Sequence, residues 1–246
     1  MIIAVFFAGH WFSSLFMQTF FLHRYSAHQM FSMSKFWERF FFIMTFITQG
    51  TSYLNAKAYA VMHRMHHAYS DTERDPHSPH FFRSVFGMMW RTKTIYYDLL
   101  TSKMKPGDRF EQNTPEWHKF EKLADHMVTR ISFAVVYILI YVFFAPYWWL
   151  FFLLPVHFLM GPIHGAIVNW CGHKYGYRNF KDIKDHSKNT LPFDFLTMGE
   201  LFQNNHHKYP SRLNFGVRFF EFDPTYPFIK AMYWLKIIRM APVQHK

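Results

Sequence analysis

The sequence predicts an all-α integral membrane protein, with a few transmembrane helices and a helical cap on the cytoplasmic side. Three observations lead there. Half of the 246 residues are hydrophobic, 22% are aromatic and only 17% are charged, which is too apolar for a disordered or solvating chain. Charge is absent from two long runs, 1–22 and 131–172. All 27 lysines and arginines lie between them or after them, in 24–130 and 174–246. A single cysteine, Cys171, excludes a disulfide framework and any Cys-rich zinc module.

Residues 1–22 reach roughly 33 Å as a helix, enough for one bilayer crossing. They carry no basic leader and no small-residue cleavage site, so they read as a span and not as a signal peptide. The run 131–172 is long enough for two crossings, about 131–145 and 147–172, turning near Ala145-Pro146-Tyr147. Tyr147, Trp148 and Trp149 stand at that turn as interfacial aromatics do. A chain of this size cannot bury such a run on every face of a soluble core. If the hairpin goes out and returns, 57–130 and 174–246 share one side, and the positive-inside rule makes that side the cytoplasm. The formal charge of +11 is then topology and contact with anionic lipid. No nucleic-acid-binding motif accompanies it. Residues 40–56 form a fourth apolar stretch, broken by Gln49, Gly50, Ser52 and Asn55. They read as a helix at the interface. The turn-rich loop 71–80 (DTERDPHSPH) is the clearest break in the chain. The whole is one domain.

Seventeen histidines, one more than all the acids, point to chemistry. Outside the spans they gather in groups. His23 and His28 stand in HRYSAH, His63, His66 and His67 in HRMHH, and His206 and His207 in QNNHH. His173 follows the hairpin, four residues after Asn169. Spacings of three and four put side chains on one helix face. One HH doublet is expected about once by chance in a chain of this composition, but the three groups beside membrane segments are not. His10, His157 and His164 lie inside apolar segments and read as packed or passage-lining residues. His77, His80, His118, His126, His186 and His245 read as surface or turn residues. Eight converging imidazoles exceed what one tetrahedral zinc uses and suit two metal ions with about four nitrogens each, as iron accepts. Imidazole alone does not name the metal. HExxH, GxSxG and Walker motifs are absent, so the usual zinc protease, serine hydrolase and NTPase have no support. A redox-active metal pair beside a membrane suggests oxygen chemistry on an apolar substrate, since no side chain can abstract hydrogen from an unactivated C–H bond. A metal transporter would place its ligands within the spans.

HRYSAH, HRMHHAYSDTERDPHSP, NWCGH and GELFQNNHHKYP, in this order, resemble the membrane fatty acyl desaturases of the stearoyl-CoA desaturase type. The likeness runs from about His10 to Tyr226. It implies two irons held by His23, His28, His63, His66, His67, His173, His206 and His207, with Asn169 reaching one iron through water. It implies oxygen-dependent removal of two hydrogens from a saturated acyl chain, carried on coenzyme A or a lipid, leaving a cis double bond, at Δ9 by default. It also implies an external electron donor, a cytochrome of the b5 kind or a ferredoxin. No fused haem module is evident, so a separate protein is expected. The short form points to a bacterial inner membrane. The rival reading is a membrane di-iron hydroxylase of an alkane, sterol or carotenoid.

Three departures from the family stand out. Gln203 replaces the first histidine of the third box. An amide oxygen can ligate iron, which keeps Gln203 among the candidate ligands. One span precedes HRYSAH where animal members have two. Val61-Met62 precede HRMHH where animal members have an Arg-Asp pair near the coenzyme A headgroup. Because HRYSAH and HRMHH must share a site, 40–56 is expected to return without crossing.

Overall fold

The computed structural model describes residues 1–240; His245 lies outside them. Among the described residues helices predominate, and the two strands, β1 (Phe31–Met33) and β2 (Ile238–Met240), pair as an antiparallel ladder. Helix α1 covers Ile2–Ala27, 26 residues and long and apolar enough to cross a membrane. Its last ten residues, Gln18–Ala27, are wound as a π-helix. Helix α2 (Lys35–Gln49) starts at Ser34, whose side chain caps the Trp37 N–H, and stops at Gly50 with φ +49°. A β-carbon there would strike the Tyr137 hydroxyl. Fifteen residues of α-helix reach only about 22 Å, short of a crossing. Phe41, Phe42 and Thr45 face the core, while Phe36, Phe40, Ile43 and Ile47 are exposed.

Helix α3 (Ala56–Tyr69) is capped by Asn55, and α4 (Val85–Leu100) by Ser84. Helix α5 (His118–Asp125) leads into α6 (Met127–Phe144), which begins a turn before the expected 131. Residues Ile131, Val135, Val136, Leu139, Val142 and Phe143 of α6 are exposed, an apolar surface fit for lipid.

The expected arm 147–172 is not one straight helix. It is a pair, α7 (Trp148–Phe158) and α8 (Met160–Lys174), bent by 73°. Pro162 causes the break: it has no N–H for the carbonyl four residues back, that of Phe158. Thr51 Oγ1 serves the freed carbonyls, lying 3.1 Å from the Phe158 oxygen and 3.2 Å from that of His157. Ser52 Oγ accepts from the Gly161 N–H at 3.0 Å. A helix broken among apolar neighbours is tolerated where side chains satisfy its freed backbone groups in this way.

Helices α9 (Gln203–Lys208) and α10 (Thr225–Trp234) follow, before β2. The main core gathers Phe20, Phe21 and Leu22 of α1 with Phe41, Phe42, Phe202 and Phe215. Arg24, fully buried, pairs with Asp223 at 2.7 Å and lies 4.0 Å over the Phe215 ring, tying the end of α1 to the C-terminal segment.

Candidate metal centre

Five residues apart on an α-helix, His23 and His28 would diverge by about 140°. In the π-helix five residues make little more than one turn, closed by i→i+5 bonds such as His28 N–H to the His23 carbonyl at 3.0 Å. The two rings come within 4.9 Å of each other. On α3, His63 and His67 share a face, whereas His66, next to His67, points about 100° away. Adjacent His206 and His207 on α9 diverge in the same manner.

Two groups result. His23, His28, His63, His67 and His206 form the larger; His66, His173 and His207 form the smaller. In the larger, Nε2 atoms approach at 2.8 Å (His28 and His63) and at 3.0 Å (His23 and His206, His63 and His67, His67 and His206). Nitrogens at right angles around one ion, about 2.1 Å from each, would stand about 3 Å apart. His67 and His207 rings, one from each group, are 4.5 Å apart, so the groups adjoin.

Carboxylates back four of the imidazoles. Glu200 lies 2.6 Å from His23 Nδ1, Asp75 2.9 Å from His66 Nδ1, Asp71 2.9 Å from His173 Nδ1 and Asp185 2.8 Å from His207 Nδ1. A carboxylate fixes the proton on Nδ1 and leaves Nε2 with a bare lone pair. The Nε2 atoms of His66 and His207 nevertheless face each other at 3.2 Å, and His173 Nε2 is buried without a partner. Bare lone pairs so placed repel unless a cation lies among them. The residues therefore fit metal ions. Burial, followed by the neighbouring imidazoles, pushes His28, His63, His67 and His206 well below the usual histidine range, so these ligands are neutral. Burial also takes His207 down to about 4. Against the cost of burial, His66, His173 and His207 hold Asp75, Asp71 and Asp185 ionised.

All eight histidines expected as ligands thus come together. Asn169 sits on α8 one turn before His173, its amide N–H donating to the Gly165 carbonyl at 2.9 Å. Gln203 is buried at the start of α9 and packs on Gly172, where a β-carbon would lie 2.4 Å from its Cγ. Its amide N–H donates to the Glu200 carbonyl at 2.7 Å. His10 and His157 are packed and paired through Nδ1 at 2.6 Å, with the Tyr141 hydroxyl 2.9 Å from His157 Nε2. His164 is buried against Trp11. One surface assignment fails: His77 is buried, 3% exposed, because Asp75 holds its backbone N–H and draws the DPHSP turn inward under His66. His80, His118, His126 and His186 are exposed as expected. Sequence reasoning missed the four carboxylates. Their signal was the need of each ligand imidazole for an acceptor at Nδ1, combined with acids in the loops flanking the boxes.

Two adjoining all-histidine groups, in a chain with helices apolar enough to span a membrane, define a class: helical proteins whose histidine clusters could each hold a metal ion. Within that class the chain belongs to the fatty acid desaturase family, whose pattern matches residues 1–238. It is 30% identical to the sn-1 stearoyl-lipid 9-desaturase of Synechocystis, over 89% of this chain and 66% of that one. It is likewise 30% identical to the Delta-9 desaturase-like 5 protein of Arabidopsis thaliana, over 86% of this chain and 67% of that one. Identity to the hex-5-enoyl-[acyl-carrier protein] acetylenase of Moorena producens is 26%, over 94% of this chain and 74% of that one. The chain thus spans about two thirds to three quarters of these relatives. None of the three is named a hydroxylase, and that alternative is not favoured.

Proposed function

We propose that the chain is an oxygen-dependent acyl desaturase. The observation that carries this is the pair of adjoining histidine groups, backed by Glu200, Asp75, Asp71 and Asp185, in a chain of this family. The larger group would hold one iron and His66, His173 and His207 the other, with Asn169 one turn from His173. When bound, the irons supply an oxidant made from oxygen that is strong enough to break an unactivated C–H bond. The net reaction takes a saturated acyl chain, O2, two electrons and two protons to a cis alkene and two waters. In it Glu200, Asp75, Asp71 and Asp185 would hold His23, His66, His173 and His207 in the tautomer that leaves Nε2 free, and the core around Phe202 and Phe215 flanks the larger group.

Δ9 is the position we assign, by analogy with the Synechocystis relative. Val61 and Met62 are both buried, so they offer no charge to a coenzyme A headgroup, and we take an acyl lipid as the carrier. In our reading α1, α6 and the bent pair α7–α8 lie in the membrane, α2 rests at its interface, and the metal centre faces the cytoplasm. A separate cytochrome b5-like protein or ferredoxin delivers the electrons. The test is lipid analysis of a host expressing the chain. Loss of two hydrogens at C9–C10 supports the reading; gain of one oxygen overturns it in favour of hydroxylation.

A further inference from the structure

The two histidine groups are unequal, five imidazoles against three. Gln203 directs its amide N–H to the Glu200 carbonyl. Beside the smaller group lies an imidazole with no assigned task, that of His77. It is 3% exposed, and neither Nδ1 nor Nε2 has a partner. A buried polar group left unpaired costs about 1–3 kcal/mol, so such a ring calls for a ligand.

Its position is set by the same carboxylate that orients His66. Asp75 Oδ1 accepts from the His77 backbone N–H at 3.0 Å and from His66 Nδ1 at 2.9 Å. The His77 ring lies over the His66 ring, 4.3 Å between centroids and tilted by 37°. A ligand atom of His77 falls within 4.8 Å of one from His66 and one from Asp75. Pro76, between Asp75 and His77, restricts the turn that delivers the ring. We propose that His77 supplies a further imidazole nitrogen to the ion held by His66, His173 and His207. This rests on the di-iron reading above. Three imidazoles leave an iron with positions to fill, and His77 adds a neutral donor of the same kind as the others.

The test is anaerobic loading of the whole chain with iron-57, followed by iron counting and Mössbauer spectroscopy. His77→Phe keeps a ring on His66 and removes both nitrogens; His77→Ala removes the ring. Both should drop from about two irons to about one and lose the spectral component of the smaller group, with that of the larger retained. Adding Gln203→His to His77→Ala should restore the second iron, because it offers a nitrogen at the start of α9. His77→Phe that loads two irons with the unchanged spectrum overturns the proposal, leaving His77 as packing alone. A double variant still at one iron also overturns it. Should His77→Ala misfold, His77→Phe decides. Unaltered protein that holds fewer than two irons overturns the di-iron reading itself, and this inference with it.

Discussion

Replacing Asp185 by Asn tests whether the carboxylates set the tautomer of their histidines. Asp185 Oδ2 accepts from His207 Nδ1 at 2.8 Å, and its Oδ1 accepts from the Ser187 N–H at 2.9 Å and from the Ser187 hydroxyl. Two donors at Ser187 require an oxygen on their side. The amide of Asp185→Asn therefore turns its NH2 toward His207. That NH2 donates to Nδ1, and the imidazole proton must move to Nε2, the atom 3.2 Å from His66 Nε2. A protonated Nε2 cannot ligate. Loss of such an outer partner costs about 10- to 100-fold in metal affinity, or about 1.4–2.7 kcal/mol. Asp185→Ala, which leaves Nδ1 free to keep its proton, should lose less. The assay is iron release to a graded series of chelators, with one iron leaving early and the iron of the five-histidine group holding on. Equal affinity in Asp185→Asn and the unaltered chain, or a greater loss in Asp185→Ala, would refute the tautomer argument.

Four further outcomes are expected. The iron-free chain should lose stability as pH falls from 6.5 toward 4: His207, lowered chiefly by burial to about 4, binds its proton more readily when unfolded and alone contributes a loss of about 2 kcal/mol at pH 5. A melting temperature unchanged between pH 7 and pH 5 would contradict this. Thr51→Val should strip the His157 and Phe158 carbonyls of their hydroxyl donor and destabilise the bend by about 1–3 kcal/mol, read by unfolding in detergent. Topology reporters after Arg39, Arg83 and Lys184 should all register the cytoplasm, with one at Pro146 on the far side; an outside signal at Arg83 would mean that 40–56 crosses. Donor-limited turnover should slow as salt approaches physiological strength, where the screening length is about 8 Å, and salt-insensitive turnover would exclude steering by the basic segments.

Apolar run length made the helical architecture legible, and histidine spacing together with the family resemblance marked the eight histidines that the fold brings together. For His63 and His67 the helix repeat sufficed, but His66, expected to converge on the same point, falls in the smaller group because it stands about 100° from His67 on the helix. HRYSAH did not obey it, and only the π-winding of Gln18–Ala27 explains how a spacing of five converges. The bend at Leu159 was hidden because Pro162 sits in a run without charge that reads as a single span, and its compensation comes from Thr51, more than a hundred residues earlier. His77 and the four carboxylates were missed for a related reason. Asp71 and Asp75 look like turn residues, and nothing local reveals that His173, 102 residues away, donates to Asp71.

Those carboxylates also answer a question of charge. Imidazoles bound to a metal would contribute none, so two ferrous ions would bring four positive charges into a largely buried site, a heavy electrostatic cost in a medium of low dielectric. Many metal sites offset this with carboxylates bound directly to the ion. In this chain Glu200, Asp75, Asp71 and Asp185 stand one imidazole further out, four negative charges matched to four positive ones. Arg24 and Asp223 do not disturb the balance, because they pair with each other. The arrangement leaves every inner position to nitrogen or to exchangeable ligands, while the counter-charge stays fixed on the scaffold. Three of the four carboxylates support His66, His173 and His207, and only Glu200 supports the five-histidine group. The counter-charge is thus concentrated where the imidazoles are fewest, and the smaller group would hold an ion by charge as much as by ligand number.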